Sequence, residues 1–408
     1  MSSATNSIGP YPKTDIEQQT QDQRVQEQTS SKLSFRHRIK HFTFAWYLST
    51  MSTGGLAIAL GETPHQFLGL YHIGLTVYIL NVLLFLLLTL LTLLRLALYP
   101  RHVLASLTHP SESLFISALP LSLSVLLAGL QIYTVTHGPS PASPWLLNLL
   151  YTLYIIYTIL SLLTSTTHTY LLIARSPLRP IPYTPALFLP GYSAMLTGTV
   201  ASLIASSQPP QRAALVVLTG VAWQGFGWCV SFLAVGMYLK SLLDTGLPVK
   251  KMQPGMFIPV GAAAYSIVAL VGLAGGVPAA GGGAGGFFDK YPQMRDVLKP
   301  VAVFVGMFLY VFAFWLFALA VVANFQAVLS EGGMEFGLGW WAFVFPNVGF
   351  TLSTSVLGKE LESEAILWVA SGMTVLLVVI WIVSAVACVR AVWNGSIVWP
   401  GRDEDKDR

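Results

Sequence analysis

Charged residues are scarce in this chain: Lys, Arg, Asp and Glu together make up 10% of its 408 residues, against about a quarter in an ordinary soluble domain. Cysteine is nearly absent. The only two, Cys229 and Cys388, both fall inside apolar segments, which excludes a disulfide framework and a CxxC metal site. The eight histidines show no ligand spacing on one helix face, so neither a metal nor another cofactor is expected. The glycine run 281–286 lacks the GxxxxGK[ST] pattern and does not join a strand to a helix, so it reads as a linker and not as a phosphate cradle.

What fills the chain instead is hydrocarbon. Hydrophobic residues are 54% of the sequence, and several apolar runs exceed the roughly 20 residues needed to cross a bilayer. A soluble all-helical protein would show amphipathic helices, not wholly apolar ones. Ten membrane spans are expected, near 41–61, 71–98, 113–133, 145–174, 183–206, 213–243, 254–276, 295–324, 337–358 and 364–393. Every second span is interrupted. The interruptions are Ser49-Thr50-Met51-Ser52-Thr53-Gly54-Gly55, the stretches around Pro120, Pro190 and Pro259, and Phe345-Pro346-Asn347-Val348-Gly349. From Gly54 through the four prolines the intervals are 66, 70, 69 and 87 residues, the mark of one helical hairpin repeated five times. Prolines are expected to kink these helices, and kinked, hydroxyl-bearing helices are poorly suited to lipid. The fold class expected is therefore an all-α integral membrane protein, with interrupted helices inside, leucine-rich ones outside, and a pathway at the centre.

The first 34 residues are polar, rich in Gln, Ser and Thr, and read as a disordered cytoplasmic tail without a secretory core. The transport domain then covers 35–394, and a charged cytoplasmic tail covers 395–408. With both termini inside, the tails hold ten of the 22 Lys and Arg, the inner loops seven and the outer loops five, the bias of a positive-inside protein. The basic cluster Arg36-His37-Arg38-Ile39-Lys40-His41 directly precedes a span and reads as a membrane anchor, not a nucleic-acid patch. Trp46, Trp340, Trp341, Trp393 and Trp399 are placed as interface aromatics near the inner ends.

No enzyme constellation is found: no nucleophile with a base, no paired carboxylates, no cofactor cradle. Glu62, Glu112, Asp244, Asp289, Asp296, Glu331, Glu335, Glu360, Glu362 and Glu364 all fall at span ends or in loops. A cation path or proton relay usually sets such groups at membrane depth, so their positions favour an anion path. His168 reads as a packing histidine. Arg212 and Lys359 fall at the outer ends of spans and Arg95 near an inner end. Two readings fit them: positive charge concentrating anions at a pore mouth, or long side chains snorkelling to the interface. Deeper in, Ser49, Thr53, Ser193, Thr197, Asn347, Thr351 and Ser353, with Gly54 beside them, offer weak multi-site contact to a passing carboxylate.

Several blocks taken together carry a resemblance: His41 to Tyr47 with Met51-Ser52-Thr53-Gly54-Gly55, Gly198-Thr199-Val200-Ala201-Ser202, Gln208-Pro209 through Leu215, Pro254-Gly255-Met256-Phe257-Ile258, and Trp340-Trp341 through Thr351. Across residues 35–402 the chain resembles the fungal malic acid transporters, the dicarboxylate branch of the tellurite-resistance/dicarboxylate transporter family, which is related to the plant slow-type anion channel. The resemblance implies ten helices in five hairpins, odd-numbered helices around a central pore in each subunit of a homotrimer, and plasma-membrane passage of malate, succinate and similar four-carbon dicarboxylates. It further implies that Phe345 occludes the pore. Proton-coupled symport, and sulfite or another small inorganic anion as cargo, stay open as alternatives. The long tails that carry kinase regulation in the plant channel have no counterpart in these short ends.

Overall fold

The computed structural model describes residues 35–109, 112–138, 141–175, 183–279 and 286–399. The expected N-terminal tail, residues 400–408 of the C-terminal tail and nearly all of the glycine run lie outside them. Among the described residues there is no strand. The long helices are α1 (Tyr47–Gly61), α2 (Leu70–Leu98), α3 (Ala118–Gln131), α4 (Pro144–Arg175), α5 (Leu189–Ile204), α6 (Pro210–Thr245), α7 (Ile258–Gly275), α8 (Met294–Leu329), α9 (Phe345–Glu360) and α10 (Glu364–Trp393). Eight of these, counted with the turns that lead into them, are long and apolar enough to cross a membrane. The exceptions are α1 and α9, helices of 15 and 16 residues.

Burial divides the helices into two layers. The most apolar stretches of α3, α5 and α7 are at least 67% buried within the protein, whereas those of α2, α4, α6, α8 and α10 are at most 39% buried. All of α1 and most of α9 are buried as well. The inner five close on themselves: α1 packs on α3, α3 on α5, α5 on α7, α7 on α9, and α9 back on α1. The even helices turn residues such as Leu83, Leu90, Phe304 and Phe308 outward, the apolar surface that lipid accepts.

Each inner helix begins in the same way. Short 3₁₀ turns at Phe44–Trp46, Glu112–Phe115, Pro185–Phe188, Lys250–Phe257 and Leu338–Phe343 precede α1, α3, α5, α7 and α9, and every one ends on an aromatic residue. This overturns the expected role of the prolines. Pro190, Pro259 and Pro346 each occupy the first turn of their helix, and Pro120 is the third residue of α3. A proline there removes no intrahelical hydrogen bond and its fixed φ suits a helix start. They set where 3₁₀ passes into α, and do not kink a helix interior.

Layers are joined by close backbone approach and by hydroxyls. A Cβ built on Gly227 of α6 would stand 2.7 Å from the backbone nitrogen of Met195 on α5, and one on Gly198 of α5 would stand 2.8 Å from the Gly220 carbonyl oxygen of α6. Only glycine permits that approach, as in other small-residue helix contacts in membranes. Buried hydrogen bonds then lock the helix pairs: Thr50 with Ser122 at 2.6 Å between α1 and α3, Gln224 to Ser266 at 2.8 Å between α6 and α7, and Tyr310 with Thr354 at 2.9 Å between α8 and α9.

Candidate anion pathway

The five inner helices start at one end of the molecule, and a cavity of about 350 Å³ opens there, lined by Met51, Ser52, Tyr192, Tyr238, Trp341 and Phe345 among others. Phe345 is the first residue of α9, delivered by the 3₁₀ turn before it. Its side chain is buried and stacks on Tyr265 of α7, ring centroids 5.2 Å apart. On the opposite side stands Gly55 of α1, where an added Cβ would lie 3.2 Å from the Phe345 ring. The ring thus bridges α1 and α7, the two helices that flank α9. Its backbone is held too, since the Tyr265 hydroxyl donates to the Phe345 carbonyl at 3.1 Å. Tyr192 is fixed beside it by a 2.5 Å hydrogen bond to the Ile258 carbonyl. Tyr192 and Phe345 thus line the cavity, with Tyr265 stacked on Phe345.

The polar residues singled out from sequence divide sharply. Ser193 and Thr197 turn away from the axis: the Thr197 hydroxyl meets Ser161 of α4 at 2.9 Å, and the Ser193 hydroxyl bonds the Pro190 carbonyl at 2.8 Å with Ser161 beyond it. Thr53 accepts the indole N–H of Trp381 on α10 at 3.0 Å. Gly54 is the contact point for Asn81 of α2 and Val125 of α3. These four join layers. Ser49, Thr351 and Ser353 bond carbonyls of their own segment, at 2.7, 2.8 and 2.8 Å. The Asn347 amide donates to the Phe343 carbonyl at 2.9 Å, leaving its own carbonyl oxygen buried and without a partner.

The cations divide as well. Arg95 is not a mouth charge: it is buried, and its guanidinium grips the Glu112 carboxylate at 2.6 and 3.3 Å, the Ser106 hydroxyl at 3.1 Å and the Lys40 carbonyl at 3.2 Å. That bidentate fork ties the basic segment before α1 to the start of α3. Arg212 lies between outer helices, hydrogen-bonded to Asn148 at 2.5 Å and set over the Tyr151 ring of α4 at 4.9 Å. Lys359 alone stands at the end of an inner helix, 3.6 Å from Glu62, which follows α1. Lys299 and Glu360 pair next to it at 3.0 Å.

Sequence reasoning missed Tyr265, which stacks on Phe345, and Tyr192, which lines the cavity, and placed Trp341 at the interface although it is buried against the cavity. One signal was available: an aromatic followed within a few residues by proline recurs at Phe115-Pro120, Phe188-Pro190, Phe257-Pro259 and Phe343-Pro346, and in the structure it marks the 3₁₀-to-α junctions.

A two-layered helical protein with eight helices long and apolar enough to cross a membrane, and with its inner helices packed in a closed ring, is an integral membrane protein. The chain belongs to the voltage-dependent anion channel family, which it matches over residues 41–389. It is 32% identical over 373 residues to the malic acid transport protein of Schizosaccharomyces pombe, covering 90% of this chain and 82% of that one. The similarity extends to a sulfite efflux pump of Trichophyton rubrum, at 25% identity over 80% of this chain and 84% of the pump. It extends also to an uncharacterized transporter of Methanocaldococcus jannaschii, at 24% identity over 88% and 97%. The protein is thus a multi-pass membrane protein of an anion-transporting family.

Proposed function

We propose that the chain conducts four-carbon dicarboxylate anions, malate and succinate among them, along the axis of the inner ring, and that Phe345 closes that axis. The observation that carries this reading is the lodging of the Phe345 ring between Gly55 and Tyr265 at the end of the cavity, in a chain whose relative is named for malic acid transport. All ten helices act as spans, the short α1 and α9 being completed by their 3₁₀ lead-ins. The recurrent turn-and-helix start supports five repeated hairpins. Asn347, Thr351, Ser353, Ser49 and Lys359, on α1 and α9, are the polar groups assigned to that axis. Passage is passive, through weak contacts, because tight fixation would stop conduction.

The transport domain, 35–394, sits in the plasma membrane between two cytoplasmic tails, as a homotrimer. On that topology the cavity faces the cytoplasm and Lys359 the exterior. Likeness to a sulfite efflux pump supports a second reading, with a small inorganic anion as cargo. Currents from liposomes holding the purified protein under malate, succinate, chloride and sulfite gradients decide between them. Voltage-driven malate current without proton movement is the expected outcome. A sulfite current with no malate current overturns the dicarboxylate reading, and malate movement strictly tied to protons overturns the passive one.

A further inference from the structure

A second cavity, of about 290 Å³, runs along the side of α6 and is lined by Leu187, Phe188, Val230, Leu233, Ala234 and Met237. It opens to the lipid face, where Leu233 is 69% and Met237 46% exposed. Tyr183, Thr184 and Tyr238 line both this groove and the cavity beneath Phe345. The junction carries unspent donors: the hydroxyls of Tyr238 and Thr184 are buried with no partner, and the indole N–H of Trp341, deeper in the same cavity, has none. Tyr238 and Trp341 are 5% and 4% exposed. A buried hydroxyl left without an acceptor is costly, and a bound acceptor relieves that cost.

We propose that this junction binds a long-chain carboxylate from the bilayer, a free fatty acid, with its head at Tyr238 and Thr184 and its tail in the α6 groove. The shape of the site selects that chemistry. Tyr238 is close to the loop end of α6, while Ala234 and Val230 lie one and two turns deeper, so the groove runs about 12 Å toward the middle of the membrane. An amphiphile there keeps its head near the interface and its chain in hydrocarbon. Both hydroxyls can donate, and a carboxylate, which offers only acceptors, is complementary to them. Lys251 puts positive charge on the wall of the same cavity. A head in that position narrows the approach to Phe345, a consequence that rests on the reading of the cavity as part of the anion path.

Binding of radiolabelled oleate to the purified full chain in detergent tests the site without transport. Oleate should bind saturably, unlabelled oleate should displace it, and methyl oleate, which keeps the tail but lacks the charge, should not. The pair Tyr238→Phe and Thr184→Val keeps shape and removes both hydroxyls, and should weaken binding roughly fivefold or more. Ala234→Trp fills the groove and should abolish it, with a normal size-exclusion profile confirming folded protein. Equal displacement by the methyl ester, or unchanged affinity in the double hydroxyl variant, overturns the proposal. Malate flux in liposomes is then measured with and without oleate. Inhibition in the wild type that is lost in the double variant supports the link to the pathway. Oleate binding in a protein that moves no malate would retain the site and remove the dicarboxylate reading instead.

Discussion

The Tyr265 side chain holds Phe345 twice, stacking on its ring at a centroid distance of 5.2 Å and donating its hydroxyl to its backbone carbonyl at 3.1 Å. The stack fixes the ring across the inner helices. The hydrogen bond fixes the start of α9, the point from which the ring projects. A ring held in this way is more tightly restrained than one set by packing alone, because rotation of the ring and movement of its backbone are both opposed, which suits the gate proposed for it.

Phe345→Ala should raise basal anion flux, because it removes the aromatic ring that bridges Gly55 and Tyr265. Phe343→Ala provides the contrast. That ring packs against Phe257 and Trp340, and its truncation should cost roughly 3–5 kcal/mol of stability and reduce the folded amount. Flux is measured per molecule at the cell surface. Raised flux in Phe343→Ala with unchanged flux in Phe345→Ala would move the gate two residues away.

Tyr265→Phe separates the two restraints. The stack survives and the hydrogen bond is lost, a change of about 1 kcal/mol in the closed state, or roughly fivefold in the closed-to-open ratio. Basal flux should rise, by less than in Phe345→Ala. Single-channel or liposome recordings that show Tyr265→Phe equal to the wild type would leave the stack as the sole restraint.

Breaking the Arg95–Glu112 pair should destabilise the protein. Both side chains are buried, at 2% and 0% exposure, and removing one partner leaves a buried charge at a cost of about 3–5 kcal/mol. Glu112→Gln and Arg95→Met should each lower the melting temperature in a fluorescence-detected size-exclusion assay. The double variant Arg95→Met with Glu112→Leu should recover most of the loss. Full stability in Glu112→Gln would mean that the guanidinium does not need the carboxylate charge to be satisfied in its buried site.

The layered architecture was legible because proline and clustered hydroxyls mark the inner helices and uninterrupted leucine marks the outer ones. What those prolines do was not legible. A proline inside an apolar run reads equally as a kink or as a helix start, and only the hydrogen-bond ladder separates them. Three of the hydroxyls were misread for a related reason. An inner helix has polar contacts on every side, so Ser193, Thr197 and Thr53 look like pathway residues until Ser161 and Trp381 are found opposite them. Arg95 was misplaced because its partner, Glu112, belongs to the next inner helix segment. The residues alone did not single out Phe345, since Phe343, Phe345 and Phe350 are chemically alike in one short stretch, and the gate proposed for it rests on the family likeness and on its stack with Tyr265.

Gly227→Ala tests a close backbone approach between the layers. Its Cβ would stand 2.4 Å from the Cβ and 2.7 Å from the Cα of Met195, so α5 and α6 would have to separate. Backbone cannot rotate aside as a side chain can, and overpacking of this kind costs typically 1–3 kcal/mol. Surface expression and melting temperature should both fall. Gly225→Ala, on the same helix with nothing within 4 Å of the added Cβ, should leave both unchanged, and equal loss in the two variants would point to a general intolerance of α6 instead.

The final prediction concerns Lys359 and Glu62 at the far end of the inner ring. Their side chains are 49% and 26% exposed and 3.6 Å apart, and a pair in that setting contributes about 0–1 kcal/mol to folding. Its effect on the local potential is another matter, because the two charges oppose each other at the mouth. Lys359→Gln leaves net negative charge and should lower flux of the malate dianion more than that of the monoanion. Glu62→Gln leaves net positive charge and should do the reverse. Added salt should shrink both effects, since exposed charge is screened over about 8 Å at physiological ionic strength. Arg212→Gln should shift neither ratio, because that guanidinium is set on Tyr151 between outer helices. The opposite signs are the informative part of the test. A purely structural pair would respond in the same direction to the loss of either member, so equal reductions in Lys359→Gln and Glu62→Gln would show that the pair ties α9 to α1 and does not steer anions.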